Sequence, residues 1–303
     1  MGRGRSDKTR VIVAMAYQAL ESENPMTLRQ LFYRLVSVEA LQNLQTDYQR
    51  LSRIMTEARE REEIPFEWMV DRSRPVYETN AFSNPAAYAE TVKHAYRRDY
   101  WQDQRWHLEV WTEKDAILGS IQPVTDEYGI TVRVGRGFLS TTRAHEIAEI
   151  FRGIENPICV FYLGDHDPSG ICIEEDAARR VRDGMRPDAD LMVELGIDPS
   201  DLKEFLMERL AIHPEDIDEF NLPPLRIKMS DSRAAGFRLE HGADCVELDA
   251  LPPTELRERL KDAIEKRIDR ARWDRAIAVE RAELDSIRKI AGKIGKICAG
   301  GAP

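Results

Sequence analysis

Two aspartates one residue apart, Asp165 and Asp167, follow an apolar, β-branched run at positions 158–163 and precede Pro168 and Gly170. The run is bounded by Pro157 and Gly164 and is too short for an ordinary helix. It reads as a strand buried on both faces, as in a parallel sheet. Two like charges this close are costly unless a proton or a cation neutralises them. A hard divalent ion, held by oxygen ligands and keeping several waters, is the natural neutraliser. Asp, Pro, Ser and Gly are also ordinary turn residues, so the same stretch suits a solvated turn.

A second stretch repeats the design. HLEVWT, from His107, is a short strand with Glu113 directly after it, and a helical pattern follows. TVRVG is a further β-rich run; HEIAEIFRGI is a helix that leads into the first strand. The order is strand, Glu, helix, strand, helix, strand, Asp-x-Asp, helix, which implies an α/β fold with a parallel sheet. Ligands bind in such sheets just past the carboxyl ends of the strands. Glu113, Asp165 and Asp167 are therefore the candidate metal ligands.

These residues carry a resemblance. Glu113 in TEKDA, the Gly-rich GRGF and the DHDPSG run resemble the acidic signature of a Toprim domain. The Asp-x-Asp-Pro-x-Gly form is similar to that of the DNA-cleaving A subunit of topoisomerase VI and its meiotic double-strand-break relatives. That subset also has a Gly-x-Gly-aromatic stretch followed by Thr-Arg, here Gly135, Gly137, Phe138, Thr142 and Arg143. His166 stands between the aspartates where the family often has an aromatic. The Glu-x-x-Ala-Leu segment from Glu247 resembles the family's last Toprim strand.

Tyr33 is the candidate nucleophile. In LRQLFYRLVS, Leu28, Leu31, Phe32 and Leu35 follow the i, i+3, i+4, i+7 rule and centre on one helix face. Tyr33 lies off that face, and Arg29, four residues earlier, is its neighbour on the same flank. A phenol has a pKa of about 10 and is a poor nucleophile as it stands. An adjacent guanidinium favours the phenolate and clamps a phosphate oxygen. The plain alternative is a half-buried tyrosine packed on an arginine stem. Arg29-Gln30-Leu31-Phe32-Tyr33 resembles the motif that holds the family's catalytic tyrosine, which lies in a winged-helix domain ahead of Toprim.

Residues 1–75 read as a winged-helix-like domain: a basic arm, three helices (the second capped by Thr27) and IPFEWMV as a strand. Residues 76–106 read as a helical linker crowded with aromatics, for which interdomain packing is the plainer account and base stacking the alternative. Residues 107–253 read as Toprim, with an acidic helical insertion at 184–224 holding short helices at DADLMVELG, PSDLKEFLMERL and PEDIDEF. LRIKM and the segment from Asp244 read as further strands. Residues 254–303 read as one long charged helix whose Leu256, Leu260, Ile264 and Ile268 face a core or a dimer partner.

The chain of 303 residues has a net charge of −10, which at first argues against a DNA partner. The excess acid is local: residues 155–225 carry 6 basic and 18 acidic side chains, whereas residues 226–303 carry 17 and 14. Basic patches elsewhere leave salt-sensitive DNA binding open. Arg50 and Arg53 on the third helix, Arg72 and Arg74 in DRSR, and Lys114, Arg143 and Arg233 beside the acidic motifs are the candidate contacts. Arg233, with Asp231 and Ser232, also suits a structural ion pair. No run is long and apolar enough to span a membrane. Cys159, Cys172, Cys245 and Cys298 lack paired spacing and read as buried thiols of a reducing cytoplasm.

The resemblance implies Mg²⁺-dependent cleavage of double-stranded DNA by a tyrosine, in a homodimer with composite sites, each tyrosine working with the metal of the other protomer. Here the nucleophile and acids fall on different predicted domains, which fits that plan. No ATPase module is expected within the chain, so strand passage would need a separate ATPase subunit. Two other readings stay open: a Toprim endonuclease that activates water, with Tyr33 structural, and a non-catalytic DNA-binding regulator.

Overall fold

The computed structural model describes residues 6–70, 81–135, 137–186, 194, 198, 202–227 and 230–300. Residues 1–73 and 108–265 form one unit; residues 74–107 and 266–303 form a second. The fold is mixed α/β, with a four-stranded parallel sheet and a long C-terminal helix.

The first unit opens with helices α1 (Asp7–Glu23), α2 (Leu28–Ser37) and α3 (Gln45–Glu60). IPFEWMV is not a strand. Phe66–Trp68 form a 3₁₀ turn after Pro65, and only Met69 pairs, in a parallel bridge with Met26. Then come β1 (His107–Thr112), α5 (Leu118–Tyr128), β2 (Thr131–Val134), α6 (Thr141–Gly153), β3 (Ile158–Leu163), α7 (Pro168–Met185) and β4 (Phe205–Ala211); α4 belongs to the second unit. The sheet runs β2-β1-β3-β4, so β3 is interior and every one of its residues is buried. One face packs Trp111, Val160 and Tyr162 against Ile147 and Phe151 of α6 and Val181 of α7.

The expected helix over PSDLKEFLMERL is in part β4, parallel to β3. Its pattern FLMERLA is as compatible with a strand as with a helix, and pairing with a buried neighbour decides the outcome. A short α8 (Asp216–Glu219) fulfils the PEDIDEF expectation. The DADLMVELG helix lies outside the described residues. LRIKM and the segment from Asp244 give two-residue strands, β5 (Leu225–Arg226) and β6 (Asp244–Cys245), paired antiparallel in a sheet of their own. Between them lies α9 (Ala234–His241).

The expected single helix over residues 254–297 is two, α10 (Pro253–Glu265) and α11 (Arg270–Gly300). Leu256, Leu260 and Ile264 of α10 are buried in the first unit, as a core stripe should be. In the second unit α4 (Pro85–Ala95) packs on α11. Tyr96 donates to Glu283 at 2.6 Å, and Tyr100 and Trp101 meet Trp273 edge-on at 4.9 and 5.2 Å. These aromatics are committed to packing. Cys159 and Cys245 are buried, Cys172 and Cys298 half-buried, and all four are free thiols. No described helix is long and apolar enough to cross a membrane.

Candidate active site

Helix α2 begins with a reciprocal cap. Gln30 N donates to Thr27 Oγ1 at 3.1 Å, and Thr27 N donates to Gln30 Oε1 at 2.8 Å. The same Gln30 oxygen accepts Ser120 Oγ of α5 at 2.7 Å, which ties α2 to the sheet-bearing part of the unit. Leu31, Phe32 and Leu35 are buried as their spacing requires. Tyr33 is buried too, with 4% of its surface exposed, although its helical angle takes it off the apolar face. Glu247 and Leu248–Ala250, a short 3₁₀ turn packed on α2, supply the cover.

Arg29, one turn before Tyr33, has its guanidinium 5.8 Å from the tyrosine ring centre. It also grips Glu247 with two parallel bonds, Nε to Oε2 at 2.7 Å and an Nη to Oε1 at 2.6 Å. Glu247 lies 3.5 Å from Lys114 Nζ, which meets Asp165 Oδ1 at 2.8 Å and Asp249 Oδ2 at 2.9 Å. A continuous run of charge thus joins the tyrosine helix to the first aspartate of the Asp-x-Asp pair.

The acids are placed by backbone. Glu113 follows β1, and its Oε1 accepts Asp165 N at 3.1 Å across the neighbouring β3 end. Asp167 caps α7 by accepting Gly170 N at 2.7 Å, with Pro168 at the first helical position. Gly170 is required there, because a Cβ would collide with the Asp165 carbonyl oxygen. His166 pairs with Val246 in both directions at 2.9 Å. That bridge lays Glu247, Leu248 and Asp249 beside Asp165, whose Oδ1 accepts Leu248 N at 2.6 Å.

The charges respond to burial and to each other. Burial, seconded by Glu113, pushes the Asp165 carboxyl up to about 7 against the pull of Lys114. Burial alone would lower the Lys114 ammonium, but Asp249, Asp165 and Glu247 together raise it above its ordinary value. Burial and the negative charge of Glu247 push the Tyr33 phenol up to about 12. Arg29 favours the phenolate, as expected, but burial first and Glu247 second outweigh it. The His166 imidazole, buried and facing Phe237 at 5.1 Å and His241 at 5.7 Å, is held down to about 4 by burial and then Arg209. It packs as an aromatic does.

Of the predicted residues, the fold brings Arg29, Tyr33, Glu113, Lys114, Asp165 and Asp167 to one end of the sheet. Lys114 is enclosed by carboxylates and is not a surface DNA contact as expected. Arg143 is exposed and pairs with Glu146 at 3.0 Å. Arg50 and Arg53 lie on α3, with Arg53 exposed. Arg233 binds Asp231 through two bonds of 2.9 and 2.8 Å, donates to Ser169 Oγ at 2.9 Å and sits 5.9 Å from the Phe138 ring. Arg72 and Arg74 lie outside the described residues. Glu247 and Asp249 were legible only as acids near a strand end, yet both are part of the site.

Among the described residues no three His, Cys, Asp or Glu side chains form a ready-made metal cage. The donor set nonetheless suits a hard cation. It is all carboxylate, Asp165 holds its proton unusually tightly, and Asp249 Oδ1 is buried without a hydrogen-bond partner. A cavity of about 420 Å³ opens beside Arg29, lined by Thr27, Tyr48, Ser52, Thr56, Arg59 and Asp115. No protein-family model matches the chain, and no curated protein matches it in sequence.

Proposed function

We propose that this protein cleaves DNA by transesterification, with Tyr33 as nucleophile and Glu113, Asp165 and Asp167 as the holders of a Mg²⁺ ion. The observation that carries the reading is the unbroken charge path from Tyr33 through Arg29, Glu247 and Lys114 to Asp165. The strand-end acids after β1 and β3 support a Toprim reading of the sheet, and the three helices before it support a winged-helix reading.

In the reaction, the Tyr33 hydroxyl oxygen forms a bond to a backbone phosphorus, and the bond from phosphorus to the 3′ oxygen breaks. The 3′ oxygen leaves as an alkoxide and takes a proton from water, so the products are a 5′-phosphotyrosyl end and a 3′ hydroxyl. The ester keeps the energy of the phosphodiester, so the break can be resealed, which attack by water does not allow. When bound, the ion would polarise the phosphate and take up charge on the leaving oxygen. Arg29 exchanges Glu247 for a phosphate oxygen, since both are bidentate acceptors of a guanidinium. Glu247, released, is the nearest carboxylate to take the phenol proton. The cavity beside Arg29 offers room for the nucleotide next to the cut.

Tyrosine and acids lie in one unit of one chain, which supports a site completed within a single chain over a composite one. A second copy serves to cut the second strand. The experiment is covalent trapping of protein on DNA ends with Mg²⁺, with Tyr33→Phe as the control. A water-activating nuclease is the competing reading, and the burial of Tyr33 with its raised pKa is what favours it.

A further inference from the structure

Lys114 has an unusual position: one ammonium serves three carboxylates from two separate segments. Its Nζ lies 2.8 Å from Asp165, 2.9 Å from Asp249 and 3.5 Å from Glu247. Its side chain is largely enclosed, and Asp249 is 2% exposed with Oδ1 unpartnered. An ion pair on a surface needs one acid and stays in water. Here three carboxylates converge on one largely enclosed ammonium.

We propose that Asp165, Glu247 and Asp249 form a second cation position, filled by the Lys114 ammonium in place of a divalent ion. The proposal rests on the reading of Glu113, Asp165 and Asp167 as a divalent-ion site and goes beyond it by setting the number of ions. Asp165 is the shared residue. Its backbone stands on Glu113, and its Oδ1 meets Lys114. Centres with two ions act on phosphates with the ions about 3.5–4 Å apart, clamping both the attacking and the leaving oxygen. Here Lys114, next in sequence to Glu113, carries one of those charges on a side chain. A tethered ammonium needs no recruitment from solution; it donates to Asp249 and Asp165 and keeps Glu247 at ion-pair distance.

Charge count agrees with one ion. Glu113, Asp165, Asp167, Glu247 and Asp249 face two fixed cations, Lys114 and Arg29. That leaves a deficit of about three charges, which one divalent ion reduces to one. Removing Lys114 without its replacement would leave Asp249 buried and unpaired.

The test is calorimetric titration of the full chain with Mn²⁺, without DNA, on the parent, Lys114→Met and Lys114→Arg proteins. The expected stoichiometry is one ion for the parent and for Lys114→Arg, and two for Lys114→Met. An unchanged single ion in Lys114→Met overturns the second position while leaving the metal reading intact. No ion in any of the three overturns both. An ion bound by Lys114→Met alone supports the second position and removes the metal reading of Glu113. Thermal melting covers a variant that does not fold unaided. A Lys114→Met chain that folds only with Mn²⁺ supports the proposal, and one that stays unfolded with Mn²⁺ contradicts it.

Discussion

Arg29 reaches across 218 residues of sequence to hold both oxygens of Glu247, at 2.7 and 2.6 Å. Beside the burial of Tyr33, this pair sets the charge around its phenol. With its guanidinium engaged, Arg29 cannot offset burial, and the phenol rests neutral with its pKa pushed up to about 12. In the proposed reaction, a phosphate that competes for Arg29 would free Glu247 from it.

Glu247→Gln should lower the Tyr33 pKa toward the ordinary value of about 10. The change removes a negative neighbour and leaves Arg29 free to favour the phenolate. Ultraviolet absorbance of the phenolate during alkaline titration, compared with Tyr33→Phe, reads the shift. The stability cost should be about 1 kcal/mol or less, because Arg29 is half exposed and solvent screens the pair. An unmoved titration would show that Glu247 does not control the phenol.

Asp165→Asn should abolish cleavage without loss of stability at neutral pH. The folded-state pKa is raised, to about 7, so the native protein holds this proton more tightly than the unfolded chain. Stability from that proton is present at low pH and lost as pH rises through about 7. The amide keeps an acceptor for Leu248 N and carries no charge to repel Glu113. Melting curves at acid and alkaline pH should converge on the parent at low pH and exceed it at high pH. A variant less stable than the parent at every pH contradicts the account.

His166 gives the opposite pH signature. Its folded-state pKa is depressed from 6.5 to about 4, so the unfolded chain binds the proton more readily. The penalty is absent above about pH 6.5 and grows as pH falls toward 4. His166→Phe should remove it while keeping the stack on Phe237. Chemical denaturation near pH 5 should show the parent losing about 1–2 kcal/mol more than the variant, relative to neutral pH. Equal losses would mean that His166 is not buried as a neutral ring.

Much of this architecture was legible in the sequence. The β1, β2 and β3 runs, the cap at Thr27 and the strand-end positions of Glu113, Asp165 and Asp167 follow from local pattern alone. Sequence reasoning failed at β4, where FLMERLA fits either period, and at IPFEWMV, where Pro65 and one bridge replace a strand. Glu247, Asp249 and the role of Lys114 were hidden because a long-range pairing, His166 with Val246, assembles them. No spacing rule brings residue 247 to residue 29. Tyr33 was placed on an open flank because helical angle says nothing about a segment folding over it from far along the chain.

The cap of α2 should carry measurable weight. Thr27→Ala should cost about 1 kcal/mol, the usual loss of an N-cap. Gln30→Ala should cost more, about 2 kcal/mol, because fully buried Gln30 serves both Thr27 N and Ser120 Oγ. Urea unfolding of the two variants tests the order. A larger loss for Thr27→Ala would show that the link to α5 contributes nothing.

Mixing separates one-chain from shared sites. Tyr33→Phe and Asp165→Asn proteins, each inactive alone, should remain inactive when mixed and allowed to exchange subunits, since each working site needs both residues in one chain. Single-strand nicks from the mixture would place Tyr33 against the acids of a second copy.

The central claim is that Tyr33 becomes bonded to DNA. The direct measurement is incubation of the protein with double-stranded DNA and Mg²⁺, rapid denaturation, and analysis of the ends. The account predicts protein attached to 5′ ends through Tyr33, absent in Tyr33→Phe and absent when the ion is chelated. Cut DNA with free ends from the parent, and cutting at the same rate by Tyr33→Phe, would contradict it.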